Sequence, residues 1–530
     1  MERGESLDLR NGITPGKGTV ICKKMRTRFY FFVSVFLLVS GSQLQSQITD
    51  LNIYPEPPPP ILPAAGNTFV DPTFNTTLMR VTDSTDGNDN HNAYAYWPAM
   101  NMNSTRLYVM QTNIGPTLYD FDPNNFAIAN KRVAFASNCP SGAAPNAEDA
   151  IWSDVDPDLI FVHDRDLHLY AYNVSTQTYS LVKDLSSALP SGAHSWQMNK
   201  NHTNDDLFSF TWKDSNWNVV GFLTWRSSTD QFISGLQSDL DECQPDRSGN
   251  FLILKLAESG QYVVQARILD LSTNIFSDIT DGGPANPNTP GLYWAPGHGD
   301  MGNGTVFGHD DWNNRLVGRS CTNPSAFFSV LDLNNDWSQD YHGSLLADDM
   351  NWITLSAYVS NNSPNSGLFR NEIFQVSTDG LENVRRLAHH HSDFLSDYAV
   401  NGGGNAYWSS PKGCISKDGN WIVFTSNWGS TSRKDVFILK VPPVVTSVEN
   451  NSAVNGIQLS PNPSNGIFML TCAKRGSEME IFNLLGEKIF STQLNTGQTT
   501  IDLQSQPKGI YFYRISNAEE MIGEGKIILK

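Results

Sequence analysis

The sequence predicts an all-β protein, a seven-bladed β-propeller followed by a small C-terminal β-sandwich. Three observations predict it. Across residues 67–442 no stretch carries the 3.6-residue apolar spacing of an amphipathic helix of three turns. Over the same span a short apolar run recurs roughly every 45–55 residues, a period that suits a unit of four antiparallel strands. Beyond residue 455 the pattern becomes alternating apolar strands cut by Pro, Asn and Gly turns.

The first 46 residues stand apart. Met1–Lys24 has no hydrophobic periodicity, and Met25 opens the stretch MRTRFYFFVSVFLLVSGSQLQSQ. Arg26 and Arg28 give it a positive start, Phe29–Val39 an apolar run, and Ser40–Ser46 a small, polar flank. The expectation is an upstream extension and signal peptide over residues 1–46, with Met25 as the true start and the processed chain beginning near Gln47. A membrane anchor needs about 20 apolar residues, so no membrane span is expected. Residues 47–66 form a linker with the run YPEPPPPILP (Tyr54–Pro63), extended because proline cannot join a central strand.

Charge and motif content narrow the function classes. The chain has 54 acidic against 36 basic side chains, a formal charge of −18. Seven basic and three acidic ones lie in residues 1–46, so the processed chain is more acidic still. Such a field repels phosphate backbones and anionic lipid surfaces, which argues against nucleic acid and favours divalent cations. The six cysteines show no CxxC spacing, which argues against a structural zinc site; export permits disulfides but leaves their pairing open. No GxSxG, HExxH or P-loop pattern occurs.

Within residues 67–442 the recurring runs are Leu107–Met110, Leu159–Val162, Leu207–Phe210, Phe251–Leu254, Val306–Gly308, Trp352–Tyr358 and Trp421–Phe424, giving seven units. Each follows a turn such as MNSTR, DPD, NDD, RSGN or KDGN, and several precede a strand of the LYDFD, LYAYN or ARILDLS kind. Thr68–Asp83 is expected to supply an outer strand that closes the ring against Lys434–Pro442.

Counting back about 10–15 residues from each run reaches the start of the innermost strand, at the mouth of the axial channel. At that phase stand His91, Tyr94 and Tyr96; Glu148 and Asp149; His194 and Trp196; Asp241 and Glu242; His298 and Asp300; Asp348, Asp349 and Asn351; then His389–His391 and Trp408. Imidazoles and carboxylates in nearly every unit predict one polar rim. Its expected catalytic residues are His194, His298, His389 and His391. A divalent metal (Mn, Ca or Zn) would be held by His298, Asp300, His389 and His391. Ligand contacts are expected from His91, Tyr96, Glu148, Asp149, Trp196, Asp241, Glu242 and Trp408. The plainer reading of each residue is a strand-end group that bonds a nearby loop. His163, His168, His202, His309 and His342 are assigned to turns or outer strands. In RRLAHHHSD, strand alternation places His389 and His391 toward the channel and His390 away from it.

Two resemblances add to this. The segments LSPNPSNGIF, MEIFNLLGEKIF, TTIDLQSQPKGIYFYRIS and GKIILK, in that order, closely resemble the type A C-terminal sorting domain of the type IX (Por) secretion system. That resemblance covers residues 455–530, after a linker at 443–454. It implies a Bacteroidota-type envelope, transport across the outer membrane by the type IX machinery, and release or attachment at the cell surface. The last unit, YWSSPKGCISKDGNWIVFTSNWG, resembles the blades of TolB-like propellers, and HHH together with GHGD is similar to the oligogalacturonate lyases, whose propellers hold a metal with histidines. This implies a polysaccharide-lyase-like enzyme, in which a cation neutralises the substrate carboxylate and a histidine removes the C5 proton before β-elimination. A hydrolase would instead need paired carboxylates, for which Glu148/Asp149 and Asp241/Glu242 are the candidates. The reading from a different class is a non-catalytic surface propeller that binds glycan or protein, with Trp97, Trp152, Trp196, Trp294 and Trp408 as stacking platforms.

Overall fold

A computed structural model describes residues 47–530 apart from 112, 142–146, 257–265, 280–297, 311–313, 444–457, 461, 463, 473–476, 485, 495–496, 518–520 and 530. The expected signal peptide and Trp294 lie outside the described residues.

Between Thr68 and Lys440 the described residues form seven successive antiparallel sheets of four or five strands, the blades of the propeller. Their inner strands are Asn90–His91, Ile151–Trp152, His194–Lys200, Leu240–Pro245, Asp300–Met301, Gln339–Ser344 and Cys414–Ile415, in blades 1 to 7. The recurring apolar runs are the second strands. They are buried on both faces because each blade packs between two others, so they read as continuous apolar runs rather than alternating ones: every residue of Trp421–Ser426 is buried, and six of seven in Leu207–Lys213. The turns before them use the expected chemistry. In RSGN, Asp246 Oδ1 accepts from the backbone N–H groups of Asn250 and Phe251, both at 2.9 Å, and Gly249 supplies a φ of 70°.

The ring closes as predicted. Thr77–Arg80 pairs antiparallel with Asp435–Lys440, and Thr68–Val70 adds a fifth strand outside it. Leu78 and Met79 thereby join Leu107, Val109, Ile422, Phe424, Val436 and Ile438 in one core cluster spanning the two ends of the ring.

One feature departs from the expectation. Between the outer strand of blade 6 (Val384–His389) and the inner strand of blade 7 lies an insert with two short helices, Phe394–Asn401 and Gly403–Ala406. The first is capped by Asp393, whose side chain accepts from Ser396 N at 2.9 Å, and it stops at Gly402, where φ is 78°. With eight residues it is too short to show a helical period in the sequence.

The exit end of the channel is closed by charge. Lys200, wholly buried, pairs with Asp154 and with Asp205 at 2.7 Å; Lys417 reaches Asp154 at 3.1 Å and Asp348 at 2.9 Å; Arg247 reaches Asp348 at 3.2 Å. Each of these residues follows or ends an inner strand, or lies in the turn beyond it, so one network links blades 2, 3, 4, 6 and 7. Burial raises the Asp154 carboxyl, but Lys200, His202 and Lys417 outweigh it and hold the pKa down at about 2.

The C-terminal unit is a sandwich of two sheets. Gln458–Ser460, Ile467–Cys472 and Gly497–Asp502 form one; Lys488–Leu494, Ser477–Phe482, Gly509–Ser516 and Met521–Leu529 form the other. Strand alternation is visible in Ser477–Phe482, where buried and half-buried residues take turns, and Phe468, Leu470, Met479, Ile481, Tyr513 and Ile527 fill the space between the sheets.

Candidate functional site

Blade 1 supplies a floor for the channel mouth. Its inner segment pairs at Asn90 and His91 and again through a bridge from Met100 to Leu107. Between these points its side chains reach across the channel. The Tyr96 hydroxyl donates to Glu242 of blade 4, Trp97 Nε1 donates to Asn199 Oδ1 of blade 3 at 2.8 Å, and Asn92 Nδ2 donates to the Lys412 carbonyl ahead of blade 7 at 2.8 Å. Tyr94 lies edge-on to His342 (5.4 Å between ring centres) and to His298 (6.1 Å).

Three walls rise from this floor. On blades 5 and 6, His298 and His342 stack face to face at 4.2 Å, and Tyr358 stacks on the far side of the pair at 5.4 Å from His342. The Tyr358 hydroxyl donates to Asp340 Oδ2 at 3.1 Å, and the same oxygen lies 3.9 Å from His298 Nδ1. Burial holds the His342 imidazole well below its usual pKa, so it is neutral, while His298 remains open to the mouth. On blade 4, Lys255 Nζ pairs with Glu242 Oε1 at 2.7 Å and sits 4.6 Å from the centre of the Tyr96 ring. Asp241 beside them is exposed, and its carboxyl is raised by partial desolvation and by Glu242.

The third wall comes from the helical insert and the start of blade 7. Lys412 is buried; its ammonium donates to the Tyr407 carbonyl and to Ser410 Oγ at 3.0 Å, over the Tyr407 ring at 3.8 Å. Desolvation drives its pKa well below that of an ordinary lysine. His91 stacks on Trp408 at 4.0 Å, and burial lowers its pKa to about 4. On blade 2, desolvation and Asp149 raise the carboxyl of the exposed Glu148. On blade 3, Lys213 lies 3.9 Å from the Trp196 ring, Arg165 from the hairpin of blade 2 lies 4.6 Å from it, and His194 stacks on the exposed Trp217 at 4.1 Å. A protein of charge −18 thus gathers Lys255, Arg165 and Lys213 around one opening.

His91, Tyr96, Glu148, His194, Trp196, Asp241, Glu242, His298 and Trp408 lie in this region. The other sequence candidates do not serve it. Asp149 is buried and accepts from His163 Nε2 at 3.0 Å and Met198 N at 2.7 Å, a tie between blades 2 and 3. Asp300 is buried under three donors, Gln244 Nε2 at 2.5 Å, Met301 N at 2.7 Å and Leu345 N at 2.6 Å, which link blades 4, 5 and 6. Neither neighbouring pair offers two working carboxylates, because Asp149 is buried under His163 and Met198 and Glu242 is held by Tyr96 and Lys255.

The triple histidine is the largest correction. His389 ends the outermost strand of blade 6, three strands from the inner one that carries His342, roughly 14 Å at about 4.8 Å per strand. Alternation holds, but the side that His389 and His391 share faces residues 48–60, not the channel. The His389 ring packs on Phe74 at 5.1 Å with Nε2 3.2 Å from the Tyr54 carbonyl; His391 Nδ1 lies 3.0 Å from Glu56 Oε1. His390 points the other way, donating from Nε2 to the Ala357 carbonyl at 2.7 Å and accepting at Nδ1 from Ser392 N at 3.0 Å. Arg386, buried with Glu372, donates to the carbonyls of Asp50 and Asn52 and completes the anchor for this proline-rich strap. The proposed metal set of His298, Asp300, His389 and His391 is not assembled, and among the described residues no group of three His, Cys, Asp or Glu side chains is placed to hold a metal ion.

Several site residues escaped the sequence reading. His342, assigned there to a turn or outer strand, lies on the inner strand of blade 6, about ten residues before Trp352 and at the correct phase. Asp348, Asp349 and Asn351 fall instead beyond that strand, and Asp348 joins the ion network at the opposite end. Lys255, Asp340, Tyr358, Tyr407 and Lys412 carry no motif.

Comparison with known proteins agrees with this architecture. Residues 458–530 match the family model described as the secretion system C-terminal sorting domain. No curated protein matches the sequence. Among solved structures, an oligogalacturonate lyase in complex with manganese superposes with a TM-score of 0.51 at 11% identity, covering 72% of this chain and 97% of its own. An oligogalacturonate lyase from Vibrio parahaemolyticus gives 0.49 at 11% identity, over 72% and 99%. PorZ, a surface component of the type-IX secretion system of Porphyromonas gingivalis, gives 0.38 at 12% identity, over 86% and 62%. At such identities the likeness establishes the propeller fold alone. The sorting domain establishes the route: the protein is exported by the type IX secretion system, to the cell surface or beyond it. No helix among the described residues is long and apolar enough to cross a membrane.

Proposed function

We propose that this exported propeller is a carbohydrate-active protein, polysaccharide-lyase-like, that takes an acidic saccharide at the mouth of its channel. The observation that carries the reading is the position of His298, open to the mouth, stacked on His342 with Asp340 at 3.9 Å, and next to Tyr94. Lys255, paired with Glu242, supplies positive charge for a uronate carboxylate, whose neutralisation acidifies the C5 proton. His298 takes that proton, the C4–C5 double bond forms and the C4–O bond breaks. Tyr94, protonated because burial raises its pKa well above 10, returns a proton to the leaving oxygen. Among the described residues no trio of ligands is gathered for the Mn, Ca or Zn ion expected from the sequence, and the scheme is written without one.

A second reading, glycan binding without catalysis, is favoured by the rim on blade 3, where Trp196 and Trp217 stand with Arg165 and Lys213. Calorimetry with oligogalacturonates addresses both. Binding that weakens at least about tenfold in Lys255→Met supports the mouth as the site. The absence of binding to any uronate oligomer contradicts it. Binding without release of unsaturated product leaves the second reading in force.

A further inference from the structure

The triple histidine, displaced from the channel, borders a second cavity. Where the strap crosses from blade 6 to blade 7 a cavity of about 460 Å³ opens, lined by Glu56, Pro57–Pro59, Arg370, His391, Asp393 and Phe394, among others. His391 is 4% exposed, and its Nε2 has no hydrogen-bond partner. A buried polar atom left unmatched carries a desolvation cost that a ligand can relieve. The residue also holds a φ of 53°, a left-handed conformation uncommon outside glycine and the kind of strain found at ligand sites.

The chemistry of the walls defines what fits. Glu56 Oε1 lies 3.0 Å from Nδ1 of His391, and its other oxygen accepts from Asn371 Nδ2 at 2.8 Å. Neither ring nitrogen of His391 has a hydrogen-bond partner, so the occupant must bring a polar group that matches Nε2. Arg370, exposed at the rim, brings donors of its own and so requires acceptors on the same occupant. Pro57–Pro59 offer aliphatic ring faces as a flat apolar wall. The carboxylates of Glu56 and Asp393 offset the guanidinium, so no strong field selects an anion, and no trio of ligating side chains selects a metal. A molecule with donors and acceptors on every edge, an apolar face and little charge is a sugar, and the volume accepts one or two rings.

We propose that this cavity is a binding site for a neutral mono- or disaccharide, separate from the channel mouth and completed by the N-terminal strap. It does not depend on the channel reading: the Phe394 ring packs 5.3 Å from that of Tyr358 at the mouth, but the proposal rests on His391 and Arg370, which the channel reading does not use.

The test is saturation-transfer NMR on the full secreted protein with glucose, galactose, mannose, N-acetylglucosamine, maltose and cellobiose as probes. At least one is expected to bind, with affinity reduced about tenfold or more in His391→Leu and in Arg370→Ala, and unchanged in His298→Ala. Arg370 is exposed, so its variant folds even if His391→Leu does not. Failure of all six sugars to bind overturns the proposal, as does binding that survives Arg370→Ala or vanishes in His298→Ala. Stoichiometric Zn²⁺ binding abolished by His391→Leu, with no sugar bound, also overturns it by making the site a metal site.

Discussion

Replacing His390 with alanine separates a fold histidine from a ligand histidine. The ring is completely buried and makes two hydrogen bonds, to the Ala357 carbonyl at 2.7 Å and from Ser392 N at 3.0 Å. Losing both contributes about 1–3 kcal/mol, and the vacated ring volume adds to it, so a loss of about 3 kcal/mol is expected at pH 7. The loss depends on pH in a specific direction. Burial lowers the His390 pKa from 6.5 to about 4, so between these values the unfolded chain binds a proton that the native one does not. The stabilisation from the neutral ring is fully present above about pH 6.5 and falls as pH drops toward 4, by roughly 3 kcal/mol for a shift of that size. Urea unfolding followed by tryptophan fluorescence at pH 7, 5.5 and 4.5 therefore shows a wild-type advantage over His390→Ala that shrinks with acidity. His391→Ala costs less than His390→Ala at pH 7, because it vacates a similar ring volume but removes no matched buried hydrogen bond. Equal losses at both positions, or a gap that stays constant with pH, refute the reasoning.

Other outcomes follow from the same geometry. Asp154→Asn lowers stability by about 2 kcal/mol in urea unfolding above pH 4, and the difference disappears as pH falls toward 2, because the depressed pKa makes the ionised carboxylate the stabilising form. Arg386→Met leaves Glu372 buried without its partner and costs about 3–5 kcal/mol, while the double variant with Glu372→Leu recovers most of it, both read as shifts in the urea midpoint. A chain ending before residue 458 folds as a propeller but accumulates in the periplasm of a type IX-competent host, measured by fractionation; its appearance at the surface contradicts the assigned route.

The fold was largely legible because a propeller repeats itself. Apolar runs buried on both faces mark each second strand without knowledge of pairing, and Thr68–Asp83 could be matched to Lys434–Pro442 because the ring leaves one strand pair without a local partner. Phase read off those runs also placed His91, His194, Asp241, Glu242 and His298 at the mouth. It failed at His389–His391, where the helical insert adds a stretch that no 3.6 period announces and shifts the triple histidine back onto the previous blade's outer strand. Asp149 and Asp300 were misread for another reason: a carboxylate at the correct phase faces the channel or the gap between blades according to which backbone N–H groups are near, and that is decided by neighbouring blades far off in sequence. Lys412 was invisible because its importance lies in burial against Tyr407 and Trp408, not in any spacing.

The most direct test of the account is the ultraviolet absorbance of unsaturated uronide when the secreted protein meets oligogalacturonate. The account predicts product from the wild type and a kcat lower by about two to four powers of ten in His298→Ala, with KM little changed and His389→Ala active. Product formation that survives His298→Ala, or a wild type that binds uronate oligomers yet never cleaves them, contradicts it.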